Sequence, residues 1–177
     1  MLLLLVKGIV RRYAEGYARS ARNQPLTPEQ QLAHFLLQPS SGARFFISRE
    51  LANLLRLHVP PSVVEQVASL LQLLIPLKYQ RRWARRLHQD FGFSREDAHL
   101  LSLATFGSDL SGEILGVDLF VTFDLKLIDR FTASSSTIKK RFSRMVSHLR
   151  HPYTPVLLPE VVTPAEALHL LSTVTEE

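Results

Sequence analysis

The sequence has 177 residues, a length suited to one domain, and 46% of them are hydrophobic, which is enough to form a single buried core. It contains no cysteine, which excludes disulfide bonds and cysteine-based metal or nucleophilic sites and points to a reducing, cytoplasmic compartment. The net charge of +5 favours a polyanionic partner such as nucleic acid.

The first predicted element is a strand. Leu2 to Val6 is a continuous apolar run, as is typical of a strand that helices cover on both faces. No basic residue precedes this run, Lys7 ends it, and no small-residue cleavage site follows, so we do not expect a signal peptide. No apolar stretch is long enough to span a bilayer, and no membrane partner is predicted.

Capped helices and short strands alternate in the following part of the chain. Thr27 to Gln30 predicts a helix start with a capping hydroxyl and an early proline. Arg44 to Ile47 predicts a second strand, and Ser48 caps the helix after it. Pro60 and Pro61 precede another helix, and Leu73 to Leu77 is a candidate strand that its proline restricts to an edge or an end.

The second half continues the alternation of helices and strands. The helices are predicted at Tyr79 to Gln89, from Ser94 onward, at Ile138 to Leu149 and from Thr163 onward; the strands are Val117 to Phe123 and Val156 to Leu158. Leu125 to Phe131 is predicted as a short helical turn or loop, followed by a polar stretch from Thr132 to Ser136.

The order of these elements predicts an α/β fold. Strands that alternate with helices of about ten residues indicate parallel βαβ units. Right-handed crossovers then produce a three-layer α/β/α sandwich with a central parallel sheet. Because no internal repeat or linker divides the sequence, residues 1–177 are expected to form one domain. Ligands of such sheets bind beyond the carboxyl ends of the strands, where Asp124 is predicted to lie.

Two segments resemble the PIN family. Ser94-Arg-Glu-Asp97-Ala98 opens a helix with an acidic residue followed by alanine, and Val117-Asp-Leu-Phe-Val-Thr122-Phe-Asp124 has the strand form aDxxVTxD. Ile47 to Leu55 is similar to the second strand of the family and its following helix, and Val162 to Leu168 is similar to the closing helix. The similarity is good from Phe93 to Asp129 and loose elsewhere.

The resemblance implies a PIN-like fold and a metal-dependent endoribonuclease, often the toxin of a toxin–antitoxin pair. Asp97 and Asp124 would be the catalytic and metal-binding residues, Mg²⁺ or Mn²⁺ the cofactor, RNA the substrate and an antitoxin the protein partner. These ions prefer several carboxylate oxygens. The alignment, however, places Val6 and Leu54 at two positions that are acidic in the family. The expected metal site is therefore weakened. A non-catalytic PIN-like module that binds RNA or protein, and an unrelated α/β domain, stay open as alternatives.

The acidic residues also have structural interpretations. Asp97, three residues after Ser94, can complete a capping box, and Asp124 can initiate a turn. Thr122 points to the same side of its strand as Asp124 and is a candidate to steady a carboxylate or a water. Asp118 is expected roughly 20 Å from Asp124 and is assigned a structural role. The reserve acids are Asp109, Glu113 and Asp129.

Two basic helices are candidate nucleic-acid-binding surfaces, because lysine and arginine contact phosphate. The candidate residues are Arg81, Arg82, Arg85 and Arg86 in the first helix and Lys139, Lys140 and Arg141 in the second, where Arg144 and Arg150 extend the cluster. Solvated helix faces and docking of an acidic partner, such as the tail of an antitoxin, are the alternatives. Formation of a homodimer is also left open by the sequence.

Overall fold

The structure is a computed structural model that describes residues 1–38 and 43–174. Within these two ranges the chain forms seven strands and eight helices. The strands are β1 (Leu2–Leu5), β2 (Arg44–Ile47), β3 (Leu71–Leu73), β4 (Ile75–Pro76), β5 (Gly107–Ser108), β6 (Leu119–Val121) and β7 (Glu160–Val162). The helices are α1 (Lys7–Ser20), α2 (Pro28–Leu36), α3 (Arg49–His58), α4 (Pro61–Leu70), α5 (Gln80–Phe91), α6 (Arg95–Phe106), α7 (Leu125–Val146) and α8 (Pro164–Val174).

Five of the strands form one parallel sheet. Its order is β3-β2-β1-β6-β7, and every neighbouring pair in it is parallel. The central strand is β1, in which Leu3 lies opposite Phe45 of β2 on one side and Leu119 of β6 on the other. The strands β4 and β5 form a separate antiparallel pair. All carboxyl ends of the main sheet therefore lie along one edge.

The sheet has a buried core on each face. Successive side chains of β1 point to opposite faces, so Leu3 and Leu5 pack with α1, α2, α3, α4 and α8, whereas Leu4 packs with α5, α6 and α7. These three leucines are at most 1% exposed. Full burial of such a side chain stabilises a fold by about 1.5–3 kcal/mol. The predicted three-layer α/β/α sandwich with a central parallel sheet is confirmed.

The helix α7 differs most from the predicted elements. The sequence predicted a short helical turn or loop at Leu125 to Phe131 and a separate helix at Ile138 to Leu149. This division is wrong, because one helix of 22 residues runs from Leu125 to Val146. The polar stretch between them does not interrupt the helix, since Leu127 and Ile138 on either side are buried in the same core. Packing of an apolar face outweighs the weak helix propensity of a few Ser and Thr residues. Although α7 is long, no helix in the described ranges is both long and apolar enough to cross a membrane.

Two predicted strands also differ in position. The last strand is Glu160–Val162, not Val156 to Leu158: residues 160–162 pair with β6, whereas the backbone N–H of Val156 donates to the carbonyl of Tyr153 in the preceding turn. The prediction of one strand at Leu73 to Leu77 becomes two short strands, Leu71–Leu73 in the main sheet and Ile75–Pro76 in the antiparallel pair. The strand predicted at Val117 to Phe123 is shorter and comprises Leu119–Val121.

Candidate functional site

The two predicted site residues, Asp97 and Asp124, line one cavity at the carboxyl end of the sheet, which we call the aspartate cavity. Asp124 follows β6 and caps the start of α7, and Asp97 lies in the first turn of α6. The cavity has a volume of about 260 Å³, and Glu96 and Thr122 also line it. The fold thus brings together the two acids that the PIN resemblance singles out, whose catalytic and metal-binding roles stay predictions.

Both aspartates also form hydrogen bonds at the start of a helix. The hydroxyl of Ser94 donates to Asp97 Oδ2 at 2.6 Å, and the backbone N–H of Asp97 donates to Ser94 Oγ at 3.0 Å. Asp124 Oδ1 accepts a hydrogen bond from the backbone N–H of Leu127 at 3.1 Å. No further hydrogen bond from a described residue reaches Asp97 Oδ1 or Asp124 Oδ2. Asp124 therefore caps α7, Asp97 accepts a hydrogen bond from Ser94, the residue that caps α6, and each carboxylate still has one oxygen to present to a ligand.

Thr122 positions the backbone of Asp124. Its side chain is buried, and Thr122 Oγ1 accepts a hydrogen bond from the backbone N–H of Asp124 at 3.0 Å. The sequence suggested a role in steadying a carboxylate or a water, whereas the contact in the structure is with the main chain. The effect on the site is indirect, since this bond fixes the turn from which the Asp124 carboxylate projects.

Val6 and Lys7 lie at the end of the central strand and line the aspartate cavity. They also line an adjoining, more apolar cavity of about 330 Å³, where Leu51 and Leu54 contribute side chains. Val6 thus lies at the site, while Leu54 lines the adjoining cavity and not the aspartate cavity. An aliphatic side chain offers no ligand to a cation, and the ammonium of Lys7 repels one. The contribution of Lys7 was not predicted, although its position directly after the first strand was the available signal.

The donor set at this edge is smaller than the resemblance implies. Within residues 1–38 and 43–174, no three His, Asp or Glu side chains are grouped so that they could hold a metal ion. Mg²⁺ has octahedral coordination by oxygen. Asp97 and Asp124 each have one uncommitted oxygen, so together they could fill two of the six coordination positions of the ion. Water or substrate oxygens would have to fill the others. The residues present therefore do not fit an intact four-acid metal site.

Asp118 and the reserve acids lie outside the aspartate cavity. Asp118 Oδ2 accepts a hydrogen bond from the backbone N–H of Leu2 at 2.7 Å, at the amino end of the sheet. Asp109 also lies toward this end, because it forms an ion pair of 2.8 Å with Arg44, the first residue of β2. Glu113 and Asp129 are exposed.

The Asp109 carboxylate is held in its charged form. Burial alone would raise the pKa of Asp109, but hydrogen bonds from Arg44, Ser111 and the backbone around Glu113 lower this pKa to about 2. Its role is to tie the segment between β5 and β6 to β2.

The candidate nucleic-acid-binding residues divide into two groups. Arg82, Arg86 and Arg141 line one pocket between α5 and α7, where they are joined by Arg144 and His148. The remaining four, Arg81, Arg85, Lys139 and Lys140, are exposed and do not line this pocket. His148 was not predicted to belong to this group. The spacing of Arg141 and Arg144 places them on one side of α7, whereas His148 lines the pocket from the turn that follows the end of the helix at Val146.

Comparison of the sequence with protein-family models and with curated proteins gave no match. The PIN resemblance therefore rests on the segments around Asp97 and Asp124, and membership of that family is a proposal.

Proposed function

We propose that this chain is a PIN-like domain that binds RNA and holds Mg²⁺ or Mn²⁺ only weakly, so that RNA binding exceeds RNA cleavage. The observation that carries the proposal is the lining of the aspartate cavity, where Asp97 and Asp124 occur together with Val6 and Lys7. Glu96, Asp97 and Asp124 line the cavity, but no three acids of the described residues are grouped so that they could hold a metal ion, where the resemblance implies four; the positive charge of Lys7 also opposes binding of a cation.

The distribution of positive charge supports RNA as the partner. The net charge is +5, and the seven predicted basic residues are concentrated on α5 and α7. Such residues bind the phosphate backbone with little dependence on base sequence and with a strong dependence on salt.

An endoribonuclease of the toxin type, controlled by a protein antitoxin, is the second candidate. It is favoured by the uncommitted oxygen on each of Asp97 and Asp124, since Mg²⁺ is often bound through one or two carboxylates together with water and substrate phosphate. Its activity would then depend on a smaller acidic set than the family pattern implies.

A cleavage and binding assay on mixed-sequence single-stranded RNA at millimolar Mg²⁺ separates the two candidates. The variants are Asp124→Asn and the double substitution Val6→Asp/Leu54→Glu. Asparagine is as good a helix cap as aspartate, so Asp124→Asn removes the charge and leaves the cap of α7 in place. The double variant adds carboxylates and is expected to bind Mg²⁺ or Mn²⁺ more tightly than the wild type.

We expect little or no cleavage by the wild type, and RNA binding that weakens steeply as salt rises. Asp129→Asn is the matched control, because this exposed aspartate on α7 does not line the aspartate cavity. Strong wild-type cleavage that Asp124→Asn abolishes and Asp129→Asn leaves intact would refute the proposal and establish the second candidate. Absence of both cleavage and RNA binding in every variant would instead favour a protein-interaction role.

A further inference from the structure

A pocket of about 270 Å³ lies between α5 and α7, and we call it the arginine pocket. Four arginines line it, Arg82 and Arg86 from α5 and Arg141 and Arg144 from α7, together with His148 and apolar parts of Tyr79 and Met145. Arg141 is roughly 25 Å from Asp124 along the axis of α7. The arginine pocket is therefore separate from the aspartate cavity.

The positive charge of the pocket is only partly compensated. Asp90 Oδ2 lies 3.7 Å from Arg86 Nη1 and 3.4 Å from Arg141 Nη2. Within the part of the chain that the structure describes, no acidic side chain forms an ion pair with Arg82 or Arg144. Four guanidinium charges against one carboxylate leave an excess of three positive charges.

The fold holds these like charges together. Trp83 of α5 is fully buried, and its ring lies 5.5 Å from that of Phe142 on α7, so the two helices are packed through the core. Asp90 forms an ion pair with one arginine from each helix. Packing of the two helices therefore fixes the backbone positions of the four arginines, which lowers the ordering cost of binding, and an anion would relieve the repulsion among the guanidinium groups.

We propose that the arginine pocket binds a phosphate group of an RNA strand, an inference whose RNA part rests on the proposed function. A guanidinium group presents N–H donors in a planar fork that matches two phosphate oxygens. The volume is just below the roughly 300 Å³ at which pockets for drug-sized ligands begin. It suits a phosphate with its attached sugar better than a whole cofactor.

The test compares two double variants with equal loss of charge. Arg82→Gln/Arg144→Gln removes the two arginines of the pocket that have no ion-pair partner among the described residues, so the contacts of Asp90 stay intact. Arg22→Gln/Arg56→Gln removes two exposed charges that lie outside the pocket and are not among the predicted nucleic-acid-binding residues. Thermal melting checks that both variants are folded, as we expect for exposed side chains. Fluorescence anisotropy then measures the Kd for single-stranded RNA over a range of salt, and calorimetry measures binding of inorganic pyrophosphate.

We expect the pocket variant to bind RNA on the order of tenfold more weakly than the wild type. The slope of log Kd plotted against log salt concentration should be shallower by about 1.4, because two phosphate contacts are lost and each contact to a single strand contributes about 0.7. We expect the control variant to change the Kd less than about threefold, and pyrophosphate binding to be lost only in the pocket variant.

Equal weakening of RNA binding by the two variants would overturn the pocket while leaving RNA binding in place. Pyrophosphate binding without RNA binding would support a phosphate site and overturn the RNA assignment together with the proposed function. Competition by poly-glutamate as effective as that by RNA would show that the pocket recognises acidic peptides instead.

Discussion

Changing Asp109 to asparagine tests how strongly the segment between β5 and β6 is tied to the sheet. The Asp109 side chain is 6% exposed and forms a 2.8 Å ion pair with Arg44, and its pKa is lowered from 3.8 to about 2. A pKa difference of one unit corresponds to about 1.4 kcal/mol, so ionised Asp109 contributes on the order of 2 kcal/mol to stability. This is an upper value, since Arg44 is 38% exposed and solvent screens its charge.

The sign of the pH dependence follows from the lowered pKa. The folded state binds the proton less readily than the unfolded state, so the stabilisation is fully present above about pH 4 and is lost as pH falls toward 2. The free energy of unfolding of the wild type and of Asp109→Asn, measured in urea from pH 7 to pH 2.5, gives this stabilisation at each pH. We expect a difference of about 2 kcal/mol at pH 7 that shrinks below pH 4.

Asp129→Asn is the control for this prediction, because Asp129 is exposed and forms no ion pair with a described residue. It should change the free energy of unfolding by less than about 0.5 kcal/mol. A cost for Asp109→Asn that stays constant down to pH 2.5 would show that packing, and not the ionised carboxylate, stabilises this segment.

Two further predictions concern stability. Burial lowers the pKa of His34, and a hydrogen bond that its ring donates to the backbone carbonyl of Tyr13 offsets this only partly, so the folded state favours neutral His34. Stability should therefore fall as pH drops below about 6.5, and His34→Gln should reduce this loss in urea unfolding between pH 7.5 and 5.5; an unchanged pH dependence would contradict it. Gly116 and Gly112 both have a positive φ, +78° and +76° respectively. A Cβ on Gly116 would lie 2.7 Å from the carbonyl oxygen of Thr105, whereas a Cβ on Gly112 would meet no atom within 4 Å. Gly112→Ala should cost about 1–2 kcal/mol and Gly116→Ala clearly more, as measured by urea unfolding; equal costs would refute the clash.

Local signals predicted much of the secondary structure. Thr27 and Gln30 form the reciprocal hydrogen bonds of a capping box, as the sequence indicates, because the interacting groups are three residues apart. The apolar run at the start forms the central strand, because a strand covered on both faces needs apolar residues at successive positions. These features depend on neighbours in sequence.

The resemblance to the PIN family also indicated two acids of the candidate site. The acid-Ala helix start and the VTxD strand end identified Asp97 and Asp124, which line one cavity. It did not indicate that Lys7 also lines the cavity, or that Leu54 lies in the adjoining cavity, because both depend on how α1 and α3 leave the edge of the sheet.

Only the tertiary structure decided the continuity of α7, the place of β7 and the division of the basic residues. The polar stretch of α7 stays helical because residues on both sides of it pack on one face of the sheet. The contact between Trp83 and Phe142 fixes how α7 is rotated relative to α5. As a result Arg82 and Arg144 line the same pocket, whereas Arg81 and Lys140 lie outside it. Charge and spacing along the chain describe each helix alone, whereas a pocket between two helices depends on contacts between residues far apart in sequence.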